Sequence, residues 1–235
     1  MNDDAGPKPP LKLISSMATR ALLAELAAAW QARHADAPLA LESVGGVDAA
    51  RRIAAGEAFD GVVLAADAID KLIESGHVVG PRVDLVRSGV AVVVREGAAR
   101  PDIGSESALL RTVRAARTIG YSTGPSGTRL LALFERWGVA DELRSGLVQA
   151  PPGIPVGQLV AEGRVELGFQ QLSELMSLPG IRVLGPMPEP VQITTIFSAG
   201  VATASARPDA VRALLDWLAS PDLATVKQRH GMQAA

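Results

Sequence analysis

Between Tyr121 and Leu131 the chain reads "YSTGPSGTRLL", hydroxyl side chains and glycines set between a short apolar strand and an apolar-periodic helix. The first backbone amides of a helix have no partner within it, and the helix dipole places partial positive charge there. A strand–loop–helix junction of this kind is a candidate anion site. It is not a phosphate-binding P-loop, because the GxxxxGK[ST] spacing and its lysine are missing, and it is not GxGxxG. A plainer use of the same residues is a turn at Gly124 and Pro125 with Ser126 capping the helix that follows.

Other site chemistries have less support. The chain has no cysteine, which removes disulfides, thiolate metal sites and cysteine nucleophiles. His34, His77 and His230 lie far apart, no pair has metal-ligand spacing, and each reads as a helix-end or surface histidine. No metal and no organic cofactor is expected. A net charge of −2 argues against a nucleic-acid partner. Arg111, Arg114 and Arg117 stand at helical spacing and read as one solvated face rather than a binding patch.

The elements that must position a site follow from the hydrophobic pattern. The 235 residues, 48% of them hydrophobic, are enough for one large domain or two small ones with a sizeable core. Residues 1–10 read as a flexible leader, acidic and proline-rich, without the basic and apolar regions of a secretion signal. No run approaches the roughly 20 apolar residues that span a bilayer. The expectation is a cytoplasmic protein if Met1 is the native start, and a periplasmic one if a signal has been removed.

Strand and helix patterns then alternate. "LKLISS" is a strand, and Leu22, Leu23, Leu26 and Trp30 mark one face of a helix over 17–33. "LALESV", a helix ending at Gly56, "FDGVVLA" and a helix ending at Gly76 complete three βα units, which argues for a parallel sheet covered by helices. A long extended run over 83–97 follows, with a switch expected near Arg87 to Gly89. The second series has helices over 105–117 and 127–137, a polar stretch, a helix over 155–162, strand "VELGF", a helix over 171–177 and strand "IRVLG". A second extended run spans 191–203, and two helices broken at Ser220-Pro221 close the chain. This predicts an α/β fold of two lobes, residues 11–88 with 199–235 and residues 89–198, with two crossover strands and a ligand cleft between the lobes.

Several stretches carry a family resemblance. "AARRIAAGEAFDGVVLAADAIDKLIESG", "PSGTRLLALFERWGVADELRSGLV", "GQLVAEGRVELGF" and "RPDAVRALLDWLASPDLATVKQRHGM" occur in that order over nearly the whole chain. In this order they resemble the type II periplasmic solute-binding proteins, and within them the molybdate-binding group. The resemblance implies an oxyanion held between lobes by amides and hydroxyls at helix starts. Carried onto this chain, the first loop, "SSMATR", offers Ser15, Ser16, Thr19 and Arg20. The second, where the group usually has a serine, offers Gly45 and Gly46. The third offers Ser126, Gly127 and Thr128, and the fourth the amides of Val156 and Gly157. At the fifth, where a tyrosine is usual, stand Gln170 and Gln171.

Two hydroxyl donors of the molybdate pattern are therefore missing. Molybdate needs donors only, whereas glutamine brings a donor and an acceptor. Arg20 and Arg129, near helix starts, could fork onto a carboxylate. The expected ligand is accordingly a small anion, an organic di- or tricarboxylate in preference to a molybdate-type oxyanion. The resemblance implies a monomeric solute-binding protein that would serve the membrane component of an ABC transporter if exported. It also admits an enzyme, because some similar proteins are aconitate isomerases, which shift a double bond in a tricarboxylate. That chemistry needs a base, and the candidates are Glu42, at the end of the second strand, and Glu174, just after the glutamine pair, with a plain surface position as the alternative for each. A ligand-sensing domain of a transcription regulator is a third class, opposed by the lack of a helix-turn-helix pattern or basic stripe.

Overall fold

The structure, a computed structural model, describes residues 9–34 and 38–235. The leader expected over 1–10 falls outside the described residues up to residue 8. In chain order the elements are β1 (Leu11–Ser16), α1 (Arg20–Arg33), β2 (Leu39–Val44), α2 (Gly46–Ala54), β3 (Gly61–Ala65), α3 (Ala66–Glu74) and β4 (Val78–Arg95). Then come α4 (Glu106–Ala115), β5 (Ile119–Tyr121), α5 (Pro125–Arg136), α6 (Ala140–Leu143), β6 (Leu147–Gln149), α7 (Val156–Ala161), β7 (Leu167–Gln171) and α8 (Leu172–Leu175). The last are β8 (Ile181–Pro186), β9 (Thr194–Ala202), α9 (Pro208–Ala219), α10 (Ala224–Arg229) and β10 (Met232–Ala234).

The chain groups into two compact units, residues 1–86 with 196–235 and residues 87–195. In the first, β1 pairs in parallel with β2 and β3, and β9 runs antiparallel to β3. All five residues of β3 are buried, so this strand is covered on both faces. Leu22, Leu23, Leu26 and Trp30 form the buried face of α1, as their spacing predicts, and pack with Leu13, Val63 and Leu214. Full burial of each such side chain is worth about 1.5–3 kcal/mol. A second layer on the sheet's other face gathers Ile14, Ile53, Val62 and Ile69. Because β1, β2 and β3 run the same way, their carboxyl ends deliver Ser16, Val44 and Ala65 to one edge, each followed by a helical turn.

In the second unit β7 lies between β4, antiparallel, and β5, parallel, and β6 extends β5. β8 pairs with β4 and shifts register between Val92 and Val93. Phe134 of α5 meets Phe169 of β7 edge-on, 6.3 Å between ring centres, within one core layer. Val93, Val156, Leu159 and Leu175 fill the opposite layer. Gly168 is required there: a Cβ would lie 2.7 Å from Val93 Cγ1 and 2.8 Å from Val160 Cγ2.

The break expected near Arg87 to Gly89 is absent, since β4 is one continuous strand of 18 residues. α5 begins earlier than expected, with Gly124 as its cap and Pro125 in its first turn, so Ser126 lies inside the helix and does not cap it. Arg111, Arg114 and Arg117 are exposed, and the last two pair with Glu142 and Glu166. Among the described residues no helix is long and apolar enough to cross a membrane.

Candidate functional site

At the carboxyl edge of the first unit the parallel register sets Ser15 opposite Ser43, and their hydroxyls lie 2.8 Å apart. Ser16 follows. It is buried, and its Oγ has no hydrogen-bond partner. Thr19 is also buried, but its hydroxyl donates to Ser16 O at 3.2 Å. Gly45 caps α2, and a Cβ at Gly46 would lie 3.7 Å from Ser16 Cβ. A buried hydroxyl without a partner thus stands beside the first amides of a helix, which are unpaired by construction. Arg20 lies exposed on the first turn of α1.

In the second unit the register Gly120↔Gly168 brings the loop after β5 to the sheet end where β7 finishes in Gln170 and Gln171. Ser126, buried in the first turn of α5, lies 3.1 Å from the Ser122 hydroxyl. Gly127 is glycine because the backbone closes on itself: a Cβ would sit 1.9 Å from Ser122 O. Its amide, like that of Thr128, bonds Gly124 O, so both are already used within the turn. The Thr128 side chain is exposed. Arg129 is exposed too, and its Nη1 donates to Thr194 O at 2.7 Å, which occupies one arm of the expected fork.

The glutamine pair divides its work. Gln170 is buried and uses both ends of its amide inside the protein: Oε1 accepts from the Gly157 amide at 3.2 Å, and Nε2 donates to Glu174 Oε2 at 2.8 Å. Gly157 therefore serves the protein rather than a ligand, and the Val156 side chain belongs to the core. Gln171 is buried with Nε2 at 2.9 Å from Thr195 Oγ1, while its Oε1 has no partner. The Ser173 hydroxyl, one residue before Glu174, is likewise buried and unpartnered.

The two expected bases part company. Glu42 is exposed and held by both Nη atoms of Arg52, which also binds Glu57. Hydrogen bonding to Arg52 keeps its carboxyl below the usual range, so it serves as a surface tie between β2 and α2 and makes a poor base. Glu174 is half-buried on α8, with an edge open to solvent. Burial pushes its pKa up to about 7, against a smaller lowering by the Gln170 amide. The position of Glu174, three residues past Gln171, was legible in the sequence; its separation from counter-charges was not. Ser43, Ser122, Ser173 and Thr195 were missed. Only Ser43 had a usable signal, the match of "ISS" to "ESV" in a parallel pair.

Residues 11–233 match the family described as bacterial extracellular solute-binding protein. The chain belongs to that family. It is also 40% identical over 184 residues to a protein of Pseudomonas sp. named aconitate isomerase, a match covering 77% of this chain and 70% of the other. Among solved structures, the periplasmic molybdate-binding protein of Azotobacter vinelandii aligns with a TM-score of 0.76 at 18% identity, over 94% of this chain and 98% of that one. A tungstate ABC transporter protein of Geobacter sulfurreducens aligns with a TM-score of 0.76 at 17% identity, over 95% and 100%. At those identities the likeness establishes the fold, that of the two-lobe periplasmic binding proteins, as the resemblance implied.

Proposed function

We propose that the chain binds a small organic polycarboxylate at the strand-end donors and shifts a double bond in it by moving one proton. One observation carries the chemistry. Glu174, whose carboxyl pKa is pushed up to about 7 by burial, follows Ser173 directly and Gln171 by three residues, and each of those carries a buried polar atom without a partner. In an aconitate-like substrate a base removes a proton from the methylene carbon. The electron pair spreads into the neighbouring double bond and its carboxylate. Return of the proton at the far end of the allylic system moves the double bond. The group that takes the proton gives it back, so no co-reactant is consumed. A carboxyl half-ionised at neutral pH suits both steps. The relative named aconitate isomerase supports the same substrate class.

The choice of a carboxylate over molybdate rests on the relative named aconitate isomerase. The Gln171 amide can turn its NH₂ group toward either kind of anion, since an ionised carboxylate and a tetrahedral oxyanion both only accept. A thermal-shift panel of cis-aconitate, trans-aconitate, citrate, molybdate and sulfate tests the ligand class, since a ligand of the folded state alone raises the melting temperature. Shifts with the aconitates and none with molybdate are expected. A shift with molybdate alone would contradict the proposal.

Membership of the solute-binding family favours a second reading, a periplasmic receptor that holds the same ligand for a membrane transporter without converting it. The two readings share a ligand and differ in turnover.

A further inference from the structure

Gln170 differs from its neighbour in that its orientation admits no alternative. A backbone N–H can only donate, so the amide atom 3.2 Å from Gly157 N must be the oxygen. The other end is then the NH₂ group, and it must donate to Glu174 Oε2, 2.8 Å away. The carbonyl oxygen of a neutral carboxyl is a stronger acceptor than its hydroxyl oxygen, so this bond favours Oε2 as the carbonyl. The proton of the neutral form therefore belongs on Oε1. We propose that Gln170 is a positioning residue that decides which oxygen of Glu174 carries the proton, holding Oε2 as acceptor and leaving Oε1 to take and return it. The consequence for catalysis rests on the proton-shift function proposed above; the assignment of the oxygens rests on geometry alone.

The surroundings favour this division. Burial and the Gln170 amide are what move Glu174, with no contribution from a charged neighbour. The amide stabilises the ionised form, so it holds the carboxyl nearer neutrality than burial alone would. Gln170 thus ties the start of α7, the end of β7 and the α8 carboxyl into one line of hydrogen bonds. A ligand need not touch Gln170 for that line to matter.

The test reads the Glu174 side-chain carboxyl by carbon-13 NMR in the ligand-free protein, with Glu174→Gln to assign the signal. Gln170→Met removes the donor, and Gln170→Glu keeps the shape but sets an acceptor against an acceptor. Each variant should raise the midpoint, Gln170→Met by about one pH unit, the worth of one hydrogen bond to a charged group. A midpoint unmoved to within about 0.2 unit in both variants would overturn the proposal, since the loss of one hydrogen bond to a charged group is worth about five times that. Gln170→Glu, close in shape to the native side chain, carries the test if Gln170→Met does not fold. In aconitate conversion kcat should fall about tenfold with KM little changed, the mark of an interaction made in the transition state. A loss confined to KM would assign Gln170 to ligand contact and overturn positioning. If no aconitate is converted, the proton-shift function fails, and the titration still decides the positioning.

Discussion

Gln171 Nε2 lies 2.9 Å from Thr195 Oγ1, and the oxygen at the other end of the same amide is buried without a partner. Thr195 can donate or accept, so this amide can turn over and face a ligand with either its oxygen or its NH₂ group. Gln170, one residue earlier, has no such freedom. Adjacent glutamines on one strand end thus differ, one bonded to protein at both ends of its amide and one with its oxygen unpartnered.

Gln171→Leu should weaken aconitate binding by about 10–100-fold, the cost of about 1.5–3 kcal/mol for a hydrogen bond to a charged group. The fold should hold, because the change also removes a buried unpartnered atom. Calorimetric titration against trans-aconitate, with melting temperature as the control, checks both.

Ser16→Val tests the buried, unpartnered hydroxyl of the first unit. The Ser16 hydroxyl satisfies nothing within the protein, so replacing it by a methyl of similar size should leave stability unchanged or raised. Urea denaturation of the variant against the native protein measures it. A clear loss of stability would show that the hydroxyl is bonded within the fold.

Gly127→Ala should be destabilising, with no special effect on chemistry. The added methyl would stand 1.9 Å from Ser122 O, which is backbone and cannot swing away. Overpacking of this kind costs about 1–3 kcal/mol or more. Ser126→Ala, which loses only the contact with Ser122, should cost about 1 kcal/mol. Urea denaturation of the two variants gives the comparison.

Lys227, on α10, is buried with its ammonium unpartnered, and burial lowers its pKa. The unfolded chain holds the proton to higher pH than the folded one, so between the folded pKa and the ordinary lysine value the unfolded state binds more protons. Stability should therefore rise with pH across that window. Lys227→Met should abolish the rise and add about 1–3 kcal/mol at neutral pH, the cost of an unsatisfied buried group. Chemical denaturation at pH 7 and pH 10 measures it.

Much of the fold was legible because long elements carry strong patterns. The buried face of α1 and the all-apolar β3 follow directly from Leu22, Leu26, Trp30 and "GVVLA". Two of the short elements were not: β6 and β10 have three residues each, too few to show a period, and they exist because neighbours pair with them, whereas β5, equally short, was expected as a strand over 118–123. The same limit applies to the site. Serines and glycines at helix starts could be read from local sequence. Which of their atoms are spent on protein, as the Gly127 and Gly157 amides are, depends on partners that tertiary packing supplies. Glu42 and Glu174 looked alike as letters, and only Arg52 beside one and burial around the other separates them.

The most direct measurement follows cis- and trans-aconitate by proton NMR with the native protein and with Glu174→Gln. Interconversion by the native protein is expected, with a rise in rate as pH passes through about 7, where Glu174 ionises. Glu174→Gln should lose at least about 100-fold, the usual contribution of a positioned base, while still binding both acids. Binding without interconversion by the native protein would contradict the enzymatic account and leave a receptor. Undiminished conversion by Glu174→Gln would contradict the assignment of the base.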